Sequence, residues 1–225
     1  MEKKNELYKN IGIHVISSLF TVDKGIVKVL LIKRNNEPFK GHWALPSGAL
    51  YNNELIKKGA SRELKEKTGL SNINLEQIGI FDKINRSNLM RMIGISYLGV
   101  IDIRRVEISK VTNKTIDADY FPIEKIPVNL AYDHNEIIEN ALEVLKEKII
   151  NSNILKDLFP EHFTLPELQK TYEAVLNKKL DRRNFRKKLI SLNLIEDTNK
   201  TIKFEGKKPA KLYKFKETLE NKNIF

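Results

Sequence analysis

The chain of 225 residues contains no cysteine, and this absence excludes disulfide bonds, thiolate zinc sites and a cysteine nucleophile. It also lacks any run near the roughly 18 apolar residues that a membrane span requires. Its first ten residues, MEKKNELYKN, contain no apolar segment of signal-peptide length. We therefore expect a soluble, cytoplasmic protein with no membrane partner, in which residues 1–10 form a flexible leader.

Positive charge is unevenly distributed along the chain. The net charge is +11, and residues 1–150 contain 23 Lys and Arg against 19 Asp and Glu, whereas residues 151–225 contain 17 against 10. The larger excess in the shorter segment favours contact of the C-terminal part with a polyanion. A lysine-rich surface that only improves solubility is the alternative. Because domains span about 100–200 residues, we place two of them at residues 11–150 and 151–225.

Residues 48–70, GALYNNELIKKGASRELKEKTGL, carry a spaced pattern of glycine and charged residues. Glu54 follows Gly48 after five residues, and Arg62-Glu63-Leu64-x-Glu66-x-x-Gly69 follows Glu54 after seven. Residues three or four positions apart on a helix lie on one face, about 5–6 Å apart at Cβ. Glu63, Glu66 and residue 67 are therefore expected to converge on one point.

The residue at position 67 decides what such a point can bind. Three carboxylates there would hold magnesium, because hard divalent cations take oxygen ligands, but Lys67 has three donors and no lone pair. We therefore expect no metal, no required cofactor and no catalytic residue, with Glu63 and Glu66 as residual candidate metal ligands. Two roles are open to Lys67: its ammonium pairs with a phosphate of a ligand, or it is a solvated charge on the helix surface.

The first 150 residues have the pattern of a mixed α/β unit. Apolar, β-branched runs at residues 11–20 and 26–32 predict a hairpin, and a helix is predicted from about residue 53 to residue 67, ended by Gly69. Further strands are predicted at residues 73–84, at residues 92–103 and from residue 119, and Asp133 can cap a second helix. Strands on both sides of a helix, closed by a second helix, predict an α/β sandwich.

Residues 151–225 show the pattern of two helices and a wing. Thr164 and Glu167 form a capping box that starts one helix, and Asp181 is a natural N-cap for a second helix with an apolar face. Two β-like runs, at residues 201–204 and 211–215, surround a basic turn. A helix-turn-helix followed by a hairpin predicts a winged helix.

The second of these helices presents residue types that read DNA. Arg can bond the edge of guanine in two places, Asn can do the same with adenine, and Lys serves phosphates. A solvated helix face on a protein-binding domain is the alternative. We predict contact with double-stranded DNA by Arg182, Arg183, Asn184, Arg186, Lys187 and Lys188 of the helix and by Lys207 and Lys208 of the wing tip.

Residues 48–70 resemble a Nudix box in which Lys67 replaces the last of the paired glutamates, and the winged helix carries LDRRNFRKKL at residues 180–189. With HWALPSG at residues 42–48 and AYDH at residues 131–134, the chain resembles the Nudix-related transcriptional regulators over residues 11–216. The resemblance implies a Nudix α/β/α sandwich followed by a winged helix-turn-helix domain. It also implies a cytoplasmic homodimer, a repressor that binds palindromic operator DNA. Its effector would be ADP-ribose, in control of NAD synthesis genes, or a pentose sugar such as arabinose.

The same resemblance places an effector pocket between the box helix and the facing strands. Glu54 and Arg62 are expected to hold the box loop and helix together, whereas Trp43 either stacks on an adenine or sugar ring or is a core aromatic. Arg34 and Arg91 either clamp a diphosphate or are ordinary surface charges. The implied effector-binding residues are Arg34, Trp43, Ser47 (in place of a usual glycine), Glu63, Glu66, Lys67 and Arg91.

A second function remains open from the sequence. The rival is a Mg²⁺-dependent hydrolase of ADP-ribose or another nucleoside-diphosphate sugar, whose C-terminal module serves only oligomerisation. In the Nudix family the carboxylate at the position of Lys67 is a principal metal ligand. The resemblance therefore implies that hydrolysis by metal-activated water is lost.

Overall fold

A computed structural model of the chain describes residues 11–152, 154–203, 205–206 and 208–216. The predicted leader at residues 1–10, and the predicted DNA-contacting Lys207, lie outside the described residues. The chain divides into two compact units. Of the described residues, one unit contains those up to Phe20, Val29–Gly99 and Glu107–Leu142, and the other contains Thr21–Lys28, Val100–Val106 and those from Glu143 onward.

The predicted hairpin is confirmed as strands β1 (Gly12–Asp23) and β2 (Ile26–Arg34). The turn between them places Lys24 and Gly25 at positive φ, a conformation that glycine adopts without steric cost. Both strands continue two or more residues beyond the predicted apolar runs. The middle of each strand is fully buried, since no residue from Val15 to Thr21 or from Val29 to Ile32 exceeds 1% exposure.

Five further strands complete the sheet: β3 (Trp43–Ala44), β4 (Ser47–Ala49), β5 (Glu76–Phe81), β6 (Met92–Val100) and β7 (Thr115–Pro122). The strand order is β3-β2-β1-β6-β5, with β4 paired to β1 and β7 paired to β2. The prediction of a strand over residues 73–84 was too long, because Asn72 turns the chain at positive φ and regular pairing of β5 with β6 begins only at Glu76. The strand expected from residue 119 begins four residues earlier.

The box helix is α1 (Ile56–Thr68), three residues shorter at its start than predicted. The reason is local: the Glu54 carboxylate accepts a hydrogen bond from the Tyr51 backbone N–H at 2.8 Å and holds the preceding residues in a loop. The helix ends at Gly69, as predicted, with φ at +74°. A second helix, α2 (His134–Asn151), buries a stripe of apolar residues: Ile137, Ile138, Ala141, Leu145 and Ile149.

The winged helix is confirmed in the second unit. It contains a 3₁₀ turn (Ile154–Leu158), helices α3 (Leu165–Leu176) and α4 (Arg182–Ser191), and strands β8 (Ile195–Ile202) and β9 (Ala210–Phe215). The capping box of Thr164 and Glu167 and the N-cap of Asp181 both form as predicted. The first wing strand begins at Ile195 rather than at residue 201. Its pairing with β9 is interrupted by an irregularity between Asp197 and Thr201, and the prediction included only the part after this irregularity.

Aromatic contacts hold this small unit together. Tyr172 of α3 and Phe185 of α4 are both buried and meet edge to face, with ring centroids 5.3 Å apart. Phe163 packs on Phe215 of β9 at 4.6 Å and on Phe159 at 5.1 Å. Aromatic pairs of this kind add about 0.5–1.5 kcal/mol each beyond the area they bury. In the described part of the chain, no helix combines the length and apolar character needed to cross a membrane.

Candidate functional site

Arg62 of α1 connects the box loop to the box helix. Its guanidinium donates to both carboxylate oxygens of Glu54 at 2.6 and 2.9 Å, to the backbone carbonyl of Ala49 at 2.9 Å and to Glu63 at 2.5 Å. It also lies over the ring of Tyr51 at 3.7 Å. The hydrogen bond from Arg62 lowers the pKa of Glu54 to about 2. These contacts confirm the predicted structural role of Glu54 and Arg62.

Two glycines allow the loop to lie against α1. A Cβ on Gly48 would overlap all three heavy atoms of the Glu63 carboxylate, so the fixed glycine at the start of the box makes room for that carboxylate. Gly59 lies on α1 under the loop, where a Cβ would come within 2.7 Å of the Leu50 side chain and 3.0 Å of Glu54. The sequence alone does not indicate the role of Gly59, because a helical glycine has no local signal for close packing.

Lys67 is buried, with 7% of its surface exposed. Its ammonium donates to the backbone carbonyl of Ser47 and lies 3.5 Å from a carboxylate oxygen of Glu63. The interpretation of Lys67 as a solvated surface charge is therefore wrong. Burial lowers the pKa of Lys67 to about 8, against the attraction of Glu63 and with help from the positive charges of Arg34 and Lys114.

Lys114 is a second cation at the same point, and it was not predicted from the sequence. It lies in the turn closed by Thr112 and Thr115, and its ammonium lies 2.5 Å from Glu66 and 3.6 Å from Glu63. Partial burial raises the pKa of Glu66, but Lys114 and Arg62 outweigh this effect and lower it. Because 48 residues separate Lys114 from Glu66, no periodicity in the sequence could have connected them.

Two histidines, the half-buried His14 and the buried His134, lie near the cations Arg86, Lys67 and Arg34. Burial, followed by the charges of Arg86, Lys67 and Arg34, lowers the pKa of His14 to about 4, and the same charges act on the fully buried His134. His134 accepts the Leu45 backbone N–H at 3.0 Å. Both histidines are therefore neutral at pH 7 and add no charge to this part of the domain.

Arg86 is the innermost of these cations, with 1% of its side chain exposed. It donates to both carboxylate oxygens of Asp133, at 2.7 and 3.0 Å. Asp133, the residue immediately before α2, therefore neutralises the charge of Arg86. The third nitrogen of Arg86, Nη1, is buried without a hydrogen-bond partner among the described residues. The AYDH segment pointed to Asp133, but nothing in the sequence pointed to its partner.

The remaining predicted effector residues have the following contacts. Arg34 donates to the carbonyls of Pro38 at 2.9 Å and Asn36 at 3.4 Å, and its charge acts on Lys67. Trp43 is half-buried, with its ring 4.7 Å from that of Phe121 in an edge-to-face arrangement. Arg91 donates to the carbonyls of Asp82 and Lys83 at 2.7 and 3.1 Å and so stabilises the loop before β6.

The surface of α4 has the predicted polarity. Phe185 and Leu189 are buried against the unit, while the six predicted DNA-contacting residues of the helix are all exposed. None of their side chains forms an ion pair with any residue that the structure describes. A groove is lined by Arg182 and Arg186 of α4, by Lys208 and Lys211 of the wing, and by the first turn of α3. The structure thus brings one wing-tip residue, Lys208, together with the helix.

Comparison with known protein families matches the two halves of the chain separately. Residues 14–141 match the NUDIX domain, and residues 155–215 match the NrtR DNA-binding winged helix domain. The chain is 31% identical over 201 residues to the ADPR responsive transcriptional repressor NtrR of Acinetobacter baylyi. That alignment covers 88% of this chain and 79% of the repressor.

Solved structures give the same result. The crystal structure of Shewanella oneidensis NrtR complexed with a 27mer DNA superposes with a TM-score of 0.80 at 31% identity, covering 91% of this chain and 93% of that one. The NUDIX domain of the same protein complexed with ADP ribose gives a TM-score of 0.55 at 25% identity, covering 64% of this chain and 99% of that one. The predicted fold, a Nudix sandwich followed by a winged helix, is confirmed.

Proposed function

The chain belongs to the Nudix family, with a C-terminal winged helix domain of the NrtR type, and from this membership we propose that it is a ligand-responsive transcriptional repressor. The winged helix binds operator DNA, and the Nudix domain binds an effector that changes that affinity. The observation that carries the proposal is the exposed cationic face of α4, set on a buried apolar back beside the wing.

The DNA contact follows from where the charges lie. In a winged helix the second helix enters the major groove with side chains that reach base edges, and α4 offers Arg and Asn there together with lysines for phosphates. By contrast, two wing lysines are already paired across the strands, Lys211 with Asp197 at 2.7 Å and Lys214 with Glu196 at 2.6 Å. Base reading is therefore assigned to α4, and the wing adds Lys208.

The charge of the Nudix domain site favours an ADP-ribose-like effector over a pentose. Arg34 and Lys114 act on Lys67, while Arg86, Lys67 and Arg34 act on two neighbouring histidines that are themselves neutral. A diphosphate gains from such a set of cations, whereas an uncharged sugar does not. The ADPR responsive repressor of A. baylyi and the S. oneidensis domain complexed with ADP ribose support the same choice.

We infer that the chain binds this effector without hydrolysing it. Metal-assisted hydrolysis requires oxygen ligands for the ion, and Lys67 provides an ammonium where such a ligand is needed. We also propose that the protein acts in the cytoplasm as a homodimer, since two recognition helices on one side of the duplex match the two half-sites of a palindrome.

The test begins with the full chain and duplexes selected from a pool of random sequence. Fluorescence anisotropy is expected to show duplex binding that weakens steeply with salt, because each phosphate contact releases counterions. Arg183→Ala with Lys187→Ala is expected to abolish this binding. Lys57→Ala with Lys58→Ala, which removes two exposed charges from α1 instead, is the matched control.

The effector is tested in the same assay. Addition of ADP-ribose is expected to shift the duplex affinity, while ribose and arabinose leave it unchanged. Steady Mg²⁺-dependent cleavage of ADP-ribose, combined with failure to select any binding duplex from the random pool, would establish the hydrolase instead.

A further inference from the structure

The two carboxylates that remain from the metal-binding pattern are each ion-paired with cations of the same chain, although Oε2 of Glu63 is buried without a hydrogen-bond donor among the described residues. Glu63 lies 3.5 Å from the ammonium of Lys67 and 3.6 Å from that of Lys114, and it accepts a hydrogen bond from Arg62 at 2.5 Å. Glu66 lies 2.5 Å from Lys114 and 3.4 Å from Arg62. A divalent ion would have to replace ammonium groups at both carboxylates.

The charges at this point balance without a metal ion. Three cations, Arg62, Lys67 and Lys114, face three carboxylates, Glu54, Glu63 and Glu66. With a carboxylate at position 67 the same set would contain four negative and two positive groups, an excess that one divalent ion neutralises. With Lys67 present, a divalent ion would instead add two uncompensated positive charges in a partly buried site, where electrostatic interactions are stronger than in water.

The two lysines differ in how freely they can move. Lys67 has 9% of its side chain exposed and is fixed to the backbone carbonyl of Ser47. Lys114 has 34% of its side chain exposed and lies in a turn. The first cation is therefore a permanent part of the interior, while the second can change its partner from a carboxylate to an incoming phosphate.

We propose that Lys67 and Lys114 together take the place of the divalent metal ion of a Nudix site, so that this chain binds a diphosphate on two ammonium groups and excludes Mg²⁺. The contacts made by the side chains of α1 are sufficient to support the exclusion of metal. The choice of a diphosphate as ligand rests on the proposed function. Lysine donates up to three hydrogen bonds and serves phosphates as a point charge. Effector binding in this chain is thereby independent of divalent ions.

The exclusion of metal is tested with Mn²⁺ alone, by the electron paramagnetic resonance signal of the free ion. The unmodified chain is expected to leave the signal unchanged. Lys67→Glu with Lys114→Ala recreates the acidic set and is expected to bind Mn²⁺ at least roughly tenfold more tightly. Lys65→Glu with Lys110→Ala, an equal charge change at two exposed positions, is the control and is expected to behave as the unmodified chain.

The diphosphate site is tested by calorimetric titration of the unmodified chain with inorganic pyrophosphate. Binding is expected in EDTA, without gain from Mg²⁺. Lys114→Ala is expected to weaken it at least roughly tenfold, whereas Lys110→Ala, an exposed lysine close by in sequence, leaves it unchanged.

Three results contradict the inference: Mn²⁺ bound by the unmodified chain, pyrophosphate bound only with Mg²⁺, or no pyrophosphate bound in either buffer. These measurements need no DNA, so their failure is separate from failure of the repressor assay. If circular dichroism shows the double variant unfolded, the two experiments on the unmodified chain decide the question.

Discussion

The carboxylate of Glu63 lies directly against the backbone of Gly48, in the space that a side chain at residue 48 would occupy. This contact links the two ends of the box motif, the loop and the helix. Glu63 is itself 5% exposed in its side chain and is held by Arg62, so it cannot easily move aside. The glycine is required for packing, whether or not the site binds a ligand.

Replacing Gly48 by alanine is expected to destabilise the chain by about 1–3 kcal/mol, the usual cost of overpacking a well-packed site. The free energy of unfolding in urea measures this effect. Gly12→Ala is the control, because a Cβ at Gly12 meets its nearest neighbour at an ordinary 3.5 Å. Equal stability of the two variants would show that the Glu63 carboxylate can relocate.

The buried pair of Arg86 and Asp133 is expected to matter far more than an exposed pair on the same domain. Arg86→Met leaves Asp133 without its 2.7 Å partner and is expected to cost about 3–5 kcal/mol, as for other buried pairs that lose one member. Lys83→Met, which breaks the exposed pair with Glu136, is expected to cost about 0–1 kcal/mol. Urea unfolding of both variants checks the difference.

Acid is expected to destabilise the chain through His14. Its pKa of about 4 in the folded chain lies below the ordinary value of 6.5, so the unfolded chain takes up the proton first as the pH falls. Stability from this group is complete above pH 6.5 and is lost as the pH falls towards 4. His14→Phe is expected to lose less stability between pH 7 and pH 5 than the unmodified chain. Parallel loss in both proteins would contradict the pKa shift.

Alkali is expected to weaken diphosphate binding through Lys67. The ammonium, with a pKa of about 8 in the folded chain, is mostly charged at pH 7 and mostly neutral at pH 9. Pyrophosphate affinity should fall across this range, and Lys67→Gln should remove most of the fall.

The lowered pKa of Lys67 affects folding in the opposite direction, since it makes the chain more stable as the pH rises. Because the folded chain holds fewer protons than the unfolded chain between pH 8 and 10.5, this group makes the free energy of unfolding rise with pH there.

Local signals in the sequence predicted the local structure correctly. The capping box at Thr164, the N-cap at Asp181 and the glycine at the end of α1 all depend on residues a few positions apart, and all three form. Strand limits were less accurate, since the ends of β5 and β8 depend on partners elsewhere in the chain.

The candidate site was predictable only in part. Helical periodicity brought Glu63, Glu66 and Lys67 together, because they share one face of α1. It could not show that Lys67 is buried, since that depends on the backbone carbonyl of Ser47. Nor could it supply Lys114 or Arg86, whose carboxylate partners are 48 and 47 residues away.

Lysine and glutamate codons differ by a single base, so the ammonium buried beside Glu63 stands one mutation from an acidic side chain. A descendant carrying that mutation would hold an unbalanced cluster of carboxylates in its interior and would depend on an ion from its surroundings to offset them. The present arrangement carries its own counter-charge, and with the proposed two-lysine site a cell would sense the effector whatever its supply of magnesium.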